Sequence, residues 1–174
     1  MASRPAAQLE GTTIAEVIEL LAVLNARSAE LAIDHATEED VARLAAGRDA
    51  ILAGVTRDEI LQGVETFLRA LAEAAHQPLL AVISNFLIRV LIELELEIFP
   101  ESPQVWREWT DALADVRAET VEAMQDRDPE RLVNAVEAYH SDAAKRLHRS
   151  GIDQRLKLSA PRFSRLMTNL INRA

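Results

Sequence analysis

The stretch E-T-F-L-R-A-L-A-E-A-A-H-Q-P-L-L, residues 65–80, decides how the chain is divided. Phe67, Leu68 and Leu71 recur at three- and four-residue spacing and so share one helix face, which Val64 extends backwards. Gln77-Pro78 stops that helix, because a residue preceding proline is pushed out of the α region, and Pro78 is suited to open the next one. The inward face at 64, 67, 68 and 71 is hydrocarbon throughout and offers no group that does chemistry.

The same punctuation continues in both directions. A first helix is expected from near Thr13 to His35 or Ala36, with Val17, Leu20, Leu21, Leu24 and Leu31 on a wide apolar face. Thr37 caps a second helix, about 38–53, with Asp40 placed to reach back as the capping-box acid and Gly54 at its end. The third starts after Thr56. The fourth, Pro78 to about Phe99, is the most apolar and is expected to be the central one; its tail L-I-E-L-E-L-E-I-F alternates like a strand, yet Leu and Glu favour helix. Ser102-Pro103 opens a single fifth helix reaching Gln125, Asp128-Pro129 a sixth closed by Gly151, and a last helix is expected over about Pro161 to Asn172. These readings predict an all-α antiparallel bundle of about six to seven helices. Residues 1–13 read as a linker, 14–150 as the domain, and 151–174 as a basic helical extension.

Composition agrees with that class. A chain of 174 residues, 49% hydrophobic, suits one domain with a substantial core, and 5 Gly and 6 Pro leave room for long helices. Without cysteine there is no disulfide framework and no thiolate site, so a cytoplasmic location is expected. The apolar run Leu79 to Ile92 is interrupted by Ser84, Asn85 and Arg89 and is shorter than the roughly 20 residues a bilayer needs, which excludes a membrane partner. Charge is uneven: −16 over residues 1–144 against +7 over 145–174. The acidic body repels phosphate, and the basic end reads either as a helix packed on that body or as a nucleic-acid contact.

The order of these signals resembles the FCD effector-binding domain of FadR-type GntR transcriptional regulators over about residues 14–148. The resemblance lies in L-A-I-D-H-A-T-E-E-D-V-A-R-L (31–44), F-L-R-A-L-A-E-A-A-H-Q-P-L-L (67–80) and R-D-P-E-R-L-V-N-A-V (127–136). It implies a dimeric, non-enzymatic domain that senses a small molecule. Many members hold a divalent metal with one Asp and three His. Laid on this chain, the Asp falls on Val64 and the His residues on Leu68, Val116 and Tyr139, the last with His140 beside it, so no metal or other cofactor is expected. An Arg and a following Glu common in the family's first helix fall on Leu21 and Asn25.

Two readings of the altered site stay open: a core filled by its own side chains, or a pocket for a partly apolar metabolite such as an organic acid or acyl compound. The ligand-binding candidates are Val64, Leu68, Asn85, Arg89, Val116, Arg117, Tyr139 and His140, with Asn25 and Ser84 as further polar groups. Arg89 interrupts an apolar helix, and is either a ligand's counter-ion or a surface residue bridging to Glu93.

The sequence also bears on three other readings. A di-iron carboxylate bundle would use Glu73-Ala-Ala-His76 and Glu137-Ala-Tyr-His140, since the i, i+3 spacing aims both ligands at one metal. A TetR-type ligand domain is also helical and dimeric, but its element order fits Thr37 and Gln77-Pro78 less well. Nucleophilic or nucleotide chemistry lacks its motifs: there is no Gly-x-Ser-x-Gly, P-loop or dinucleotide fingerprint. His35 and His148 fall near helix C-termini, where the dipole accounts for them. A homodimer is expected, with Trp106 and Trp109 as an apolar face, and DNA is expected to be reached only through a winged-helix domain that 13 residues before the first helix cannot hold.

Overall fold

Residues 13–150 are described by a computed structural model. Among them run seven helices: α1 (Ile14–His35), α2 (Glu38–Ala53), α3 (Arg57–Glu73), α4 (Pro78–Ile98), α5 (Pro103–Asp111), α6 (Ala114–Gln125) and α7 (Pro129–Arg149). The helix expected over 161–172 lies outside the described residues.

Three successive helices start in the same way. Thr13, Thr37 and Thr56 each accept a bond from the amide three residues on, at 3.2 Å, while Glu16, Asp40 and Glu59 reach back to the threonine amide at 2.6, 2.8 and 2.9 Å. Each box satisfies two amides that helix geometry leaves without partners. Asp128 caps α7 by accepting from the Arg131 amide at 3.0 Å. Ser102 occupies the N-cap of α5, but its hydroxyl bonds to Gln104 Oε1 at 2.9 Å instead of to the backbone.

Helix ends are held from a distance. Arg127, in the left-handed region at φ 56°, sends its guanidinium to the carbonyls of Ala32, Ile33 and Ala36 at the end of α1. Arg107 does the same for Ile51, Leu52 and Gly54 at the end of α2. Both place a cation on carbonyls at the negative end of a helix.

The single fifth helix expected from the sequence is two helices. The Thr110 carbonyl takes the Leu113 amide at 3.0 Å and the Arg117 Nη2 at 2.6 Å, and the chain turns at Ala112-Leu113 before α6 begins. The Thr110 hydroxyl also bonds back to the Trp106 and Arg107 carbonyls, an arrangement that bends helices.

Packing places α1 and α3 at the centre: α1 contacts α7, α4 and α3, while α3 pairs with α2, α4 and α5. The most apolar helix, α4, is not central. It lies against α1 and α3 and leaves Leu79, Val82 and Ile83 exposed at its N-terminal end. Trp106 and Trp109 do not form an outer face either. Trp106 is buried with its Nε1 donating to the Pro100 carbonyl at 2.9 Å, and both indoles pack on Phe99, with ring centres 5.2 and 4.8 Å away.

The α2–α3 pair is close because glycine sits on both sides of it. A Cβ at Gly47 would stand 2.6 Å from the backbone of Phe67, and one at Gly63 2.7 Å from the amide nitrogen of Ile51. Gly47→Ala or Gly63→Ala should therefore force the two backbones apart and cost about 1–3 kcal/mol, despite alanine's better helix propensity. Urea unfolding of each variant measures this; an unchanged midpoint would mean that the pair yields freely.

Candidate functional site

A closed cavity of about 20 Å³ lies where α1, α3, α4, α5, α6 and α7 meet. That is space for about one water molecule. Its apolar wall includes Ile18, Val64, Leu91, Trp106, Trp109 and Leu113; its polar wall is Glu95, Thr110, Arg117, Tyr139 and His140.

Arg117 dominates the electrostatics. It is completely buried; Nη2 is held by the Thr110 carbonyl and the Tyr139 phenol stands beside the guanidinium and favours its charge, while Nε and Nη1 make no hydrogen bond of good geometry. Burial pulls its pKa down, while Tyr139 and, more remotely, Asp111 favour the charged form. Guanidinium nevertheless keeps its proton at any physiological pH. The site thus holds one fixed positive charge with two donor nitrogens unused.

The other polar groups are neutral at pH 7 or nearly so. Burial alone pushes the Glu95 carboxyl up to about 8. Burial pushes the Tyr139 phenol up to about 12, with Arg117 opposing and Glu95 adding to the shift. Burial brings His140 down to about 4. Asn25 of α1 fixes that ring: its Nδ2 donates to Nε2 at 3.0 Å, which leaves the neutral ring's proton on Nδ1. Phe67 and Tyr139 pack with ring centres 5.9 Å apart, tying α3 to α7 behind the cavity.

This architecture has relatives. The profile of the FCD domain family matches residues 16–142. The chain belongs to the FCD family. Two solved structures share its fold: a GntR-family transcriptional regulator from Pseudomonas syringae pv. tomato (12% identity, TM-score 0.61) and E. coli McbR/YncC (18% identity, TM-score 0.60). The alignments cover 79% and 78% of this chain, and 56% and 67% of those proteins, so the chain spans little more than half the length of the Pseudomonas regulator. No curated protein sequence shows significant similarity to it.

The positions onto which the metal ligands implied by the resemblance fall do not fit an ion. Val64 and Leu68 sit on the buried face of α3 as bare hydrocarbon, Val116 is half-buried at the core's edge, and Tyr139 offers a phenol whose proton burial holds on. His140 stands next to it with Nε2 already engaged by Asn25. Among the described residues no group of three or more His, Cys, Asp or Glu could hold an ion. The di-iron pattern fails on direction as well as number. Glu137 is exposed while His140 is buried, and Glu73 faces Arg43, Arg69 and Asn85 while His76 bonds to Asp40 at 2.7 Å.

Of the candidates named from sequence, the structure brings Val64, Arg117, Tyr139 and His140 to one cavity. Leu68 is fully buried but outside its wall, and Val116 also lies off it. Asn85 donates to Glu73 Oε1 at 3.1 Å, and Arg89 is exposed on α4. Ser84 is buried with its hydroxyl unpartnered, away from the cavity wall. Glu95 was missed, although its spacing of seven from Ile88 and four from Leu91 puts it on the apolar stripe of α4.

The raised Glu95 pKa has a thermodynamic consequence. A carboxyl with pKa near 4.5 in the unfolded chain and about 8 in the fold stabilises fully below pH 4.5, and that contribution is lost as pH rises through 8. Glu95→Gln removes the dependence, so its stability relative to wild type should climb between pH 5 and pH 9 by on the order of 3 kcal/mol. Chemical denaturation across that range checks it; parallel curves would mean an ordinary, hydrated Glu95.

Proposed function

We propose that this FCD domain is the effector-binding and dimerisation half of a GntR-type transcriptional regulator, and that its effector is a small, partly apolar organic acid or acyl compound whose carboxylate meets Arg117. The observation that carries the reading is the buried guanidinium with two unpartnered nitrogens on a central cavity. A buried cation without a counter-ion is costly, and a planar carboxylate matches the guanidinium fork. Val64, Tyr139 and His140 complete the proposed contact set. Leu68, Asn85, Arg89 and Val116 enter it only if the cavity grows.

Growth is required, since about 20 Å³ holds no metabolite. A groove of about 200 Å³ between α1 and α7, walled by Ala22, Val23, Ala26 and Ala144 with Glu19, Glu137 and Ser141 also on its lining, shares Ile18 and His140 with the cavity. Movement of those two side chains would join groove to cavity, giving a hydrocarbon tail a place beside a carboxylate on Arg117. In a regulator such a ligand acts by binding one arrangement of the dimer better than another.

The second copy is proposed to dock on α4. Its exposed Leu79, Val82 and Ile83 lie in a segment, 78–92, with no acidic residue, in a chain whose net charge is −9. Two acidic copies can approach there without opposing like charges. DNA would be reached through a winged-helix domain of a GntR-type regulator and not through this FCD domain.

Thermal-shift measurements with organic, acyl and aromatic acids test the effector reading. A ligand at 100 times its dissociation constant adds about 2.7 kcal/mol, and Arg117→Met should abolish the response while the protein stays helical. A response unchanged in Arg117→Met would place the site elsewhere. Light scattering tests the pairing: a dimer that Val82→Glu converts to monomer is expected, and a wild-type monomer at tens of micromolar would exclude it.

A further inference from the structure

We propose that Glu95 is a proton-holding partner of the anion site: a carboxylate that reaches Arg117 accepts a hydrogen bond from the neutral Glu95 carboxyl, so that binding the anion holds one proton on that residue. The inference rests on the effector reading above and adds to it a specificity residue and a pH dependence.

The geometry is that of shared walls. Glu95 from α4 and Arg117 from α6 line the same enclosed space of about 20 Å³, and Tyr139 of α7 senses both charges. No ion pair joins the two, so a carboxylate on Arg117 would enter the space that both residues wall. Glu95 has no basic side chain paired with it among the described residues. As a carboxylate it would put a second negative charge beside the ligand, where low dielectric makes repulsion strong. As a carboxylic acid it supplies a donor, the arrangement by which a buried acid serves an oxyanion.

The groups facing it from neighbouring elements leave that choice to Glu95. From α1 come Ile18 and the amide of Asn25, from α3 Val64, and from α5 Trp106, Trp109 and Thr110, none of which titrates. From α7 come Tyr139, neutral across the physiological range, and His140, whose neutral ring adds no charge. Arg117 is the one charged group on the wall; Asp111 and Arg107 act on it from outside. Burial pushes Glu95 up to about 8, so it is mostly protonated at pH 7 and loses its proton just above.

The test uses acetate, benzoate and octanoate, all ionised at pH 6.5 and 8.5, titrated into wild type and Glu95→Gln at constant ionic strength. Binding to wild type is expected to weaken about fourfold from pH 6.5 to 8.5, the loss that follows from a titration centred near 8. In Glu95→Gln, whose amide still donates, affinity should be equal at the two pH values. A carbon-13 titration of the Glu95 carboxyl, free and acid-saturated, should show its midpoint rising on binding. Binding with no pH dependence, or one that persists in Glu95→Gln, overturns the role of Glu95 and leaves the effector site standing, as does a Glu95 midpoint in the ordinary carboxylate range. No binding of any acid at either pH overturns the effector reading, and this inference with it.

Discussion

The guanidinium of Arg117 is the constraint around which the centre of this domain is arranged. A cation completely withdrawn from water must find oxygen, and Arg117 bonds the Thr110 carbonyl at the break between α5 and α6, with the Tyr139 phenol beside it. That bond helps end one helix and sets where the next begins, so the turn at Ala112-Leu113 and the buried charge are parts of one arrangement. A single carbonyl does not exhaust five donor hydrogens. Arg117 lines a space walled by the Trp106 and Trp109 indoles and by polar groups that burial keeps neutral at pH 7 or nearly so. Removing a partner from a buried charge is far more costly than replacing the whole pair with hydrocarbon, which is why the anion proposed above would be held most strongly at Arg117.

Much of the fold was legible because helix starts are local chemistry. Thr13, Thr37 and Thr56 each stand three residues before an acid, and the bonds they form span only those three residues. Helix ends are another matter. The carbonyls that finish α1 and α2 are held by Arg127 and Arg107, more than fifty residues away, and no local pattern announces them. The α5–α6 break escaped for the same reason: Ala112 and Leu113 are good helix formers, and what diverts the Thr110 carbonyl is a side chain seven residues on. The glycines make the opposite point. Gly47 and Gly63 look like weaknesses inside helices, yet each allows a backbone approach that no Cβ would permit.

The misplacement of α4 has a physical cause worth separating from error in periodicity. Apolar content reports how much of a helix seeks cover, and says nothing of whether the cover comes from the same chain. Leu79, Val82 and Ile83 account for the excess, and they are the part left exposed. Trp106 and Trp109 erred in the other direction: two large aromatics three apart looked like a surface seam, but Phe99 turns back beyond Pro100 and the three rings close on one another. For the site, helical spacing placed Val64 on the inward face, and tracing the family's positions led to Arg117, Tyr139 and His140. Glu95 was hidden by its setting, because an alternating Leu-Glu run reads as a solvated face until the register of Ile88 and Leu91 is continued through it.

With hydrocarbon where the resemblance implies metal ligands, the centre keeps a positive charge, that of Arg117, but would have to use it in a different way. A bound divalent ion offers positive charge and open coordination positions without deforming the bundle. Here positive charge comes from Arg117 alone, fixed to the α5–α6 joint, and the cavity before it is too small for more than a water. The proposed anion could gain its contact with Arg117 only by displacing walls, and the residues common to cavity and outer groove are Ile18 on α1 and His140 on α7, the latter at the cost of its bond to Asn25. Because α1 also packs against α4, whose exposed apolar face is the surface proposed for a second copy, displacement of α1 would reach that surface through α4. Coupling between effector and dimer arrangement would then need no long pathway: the ligand's differential affinity is set by how far the α1–α7 wall must open, and the same movement alters the bed on which α4 rests.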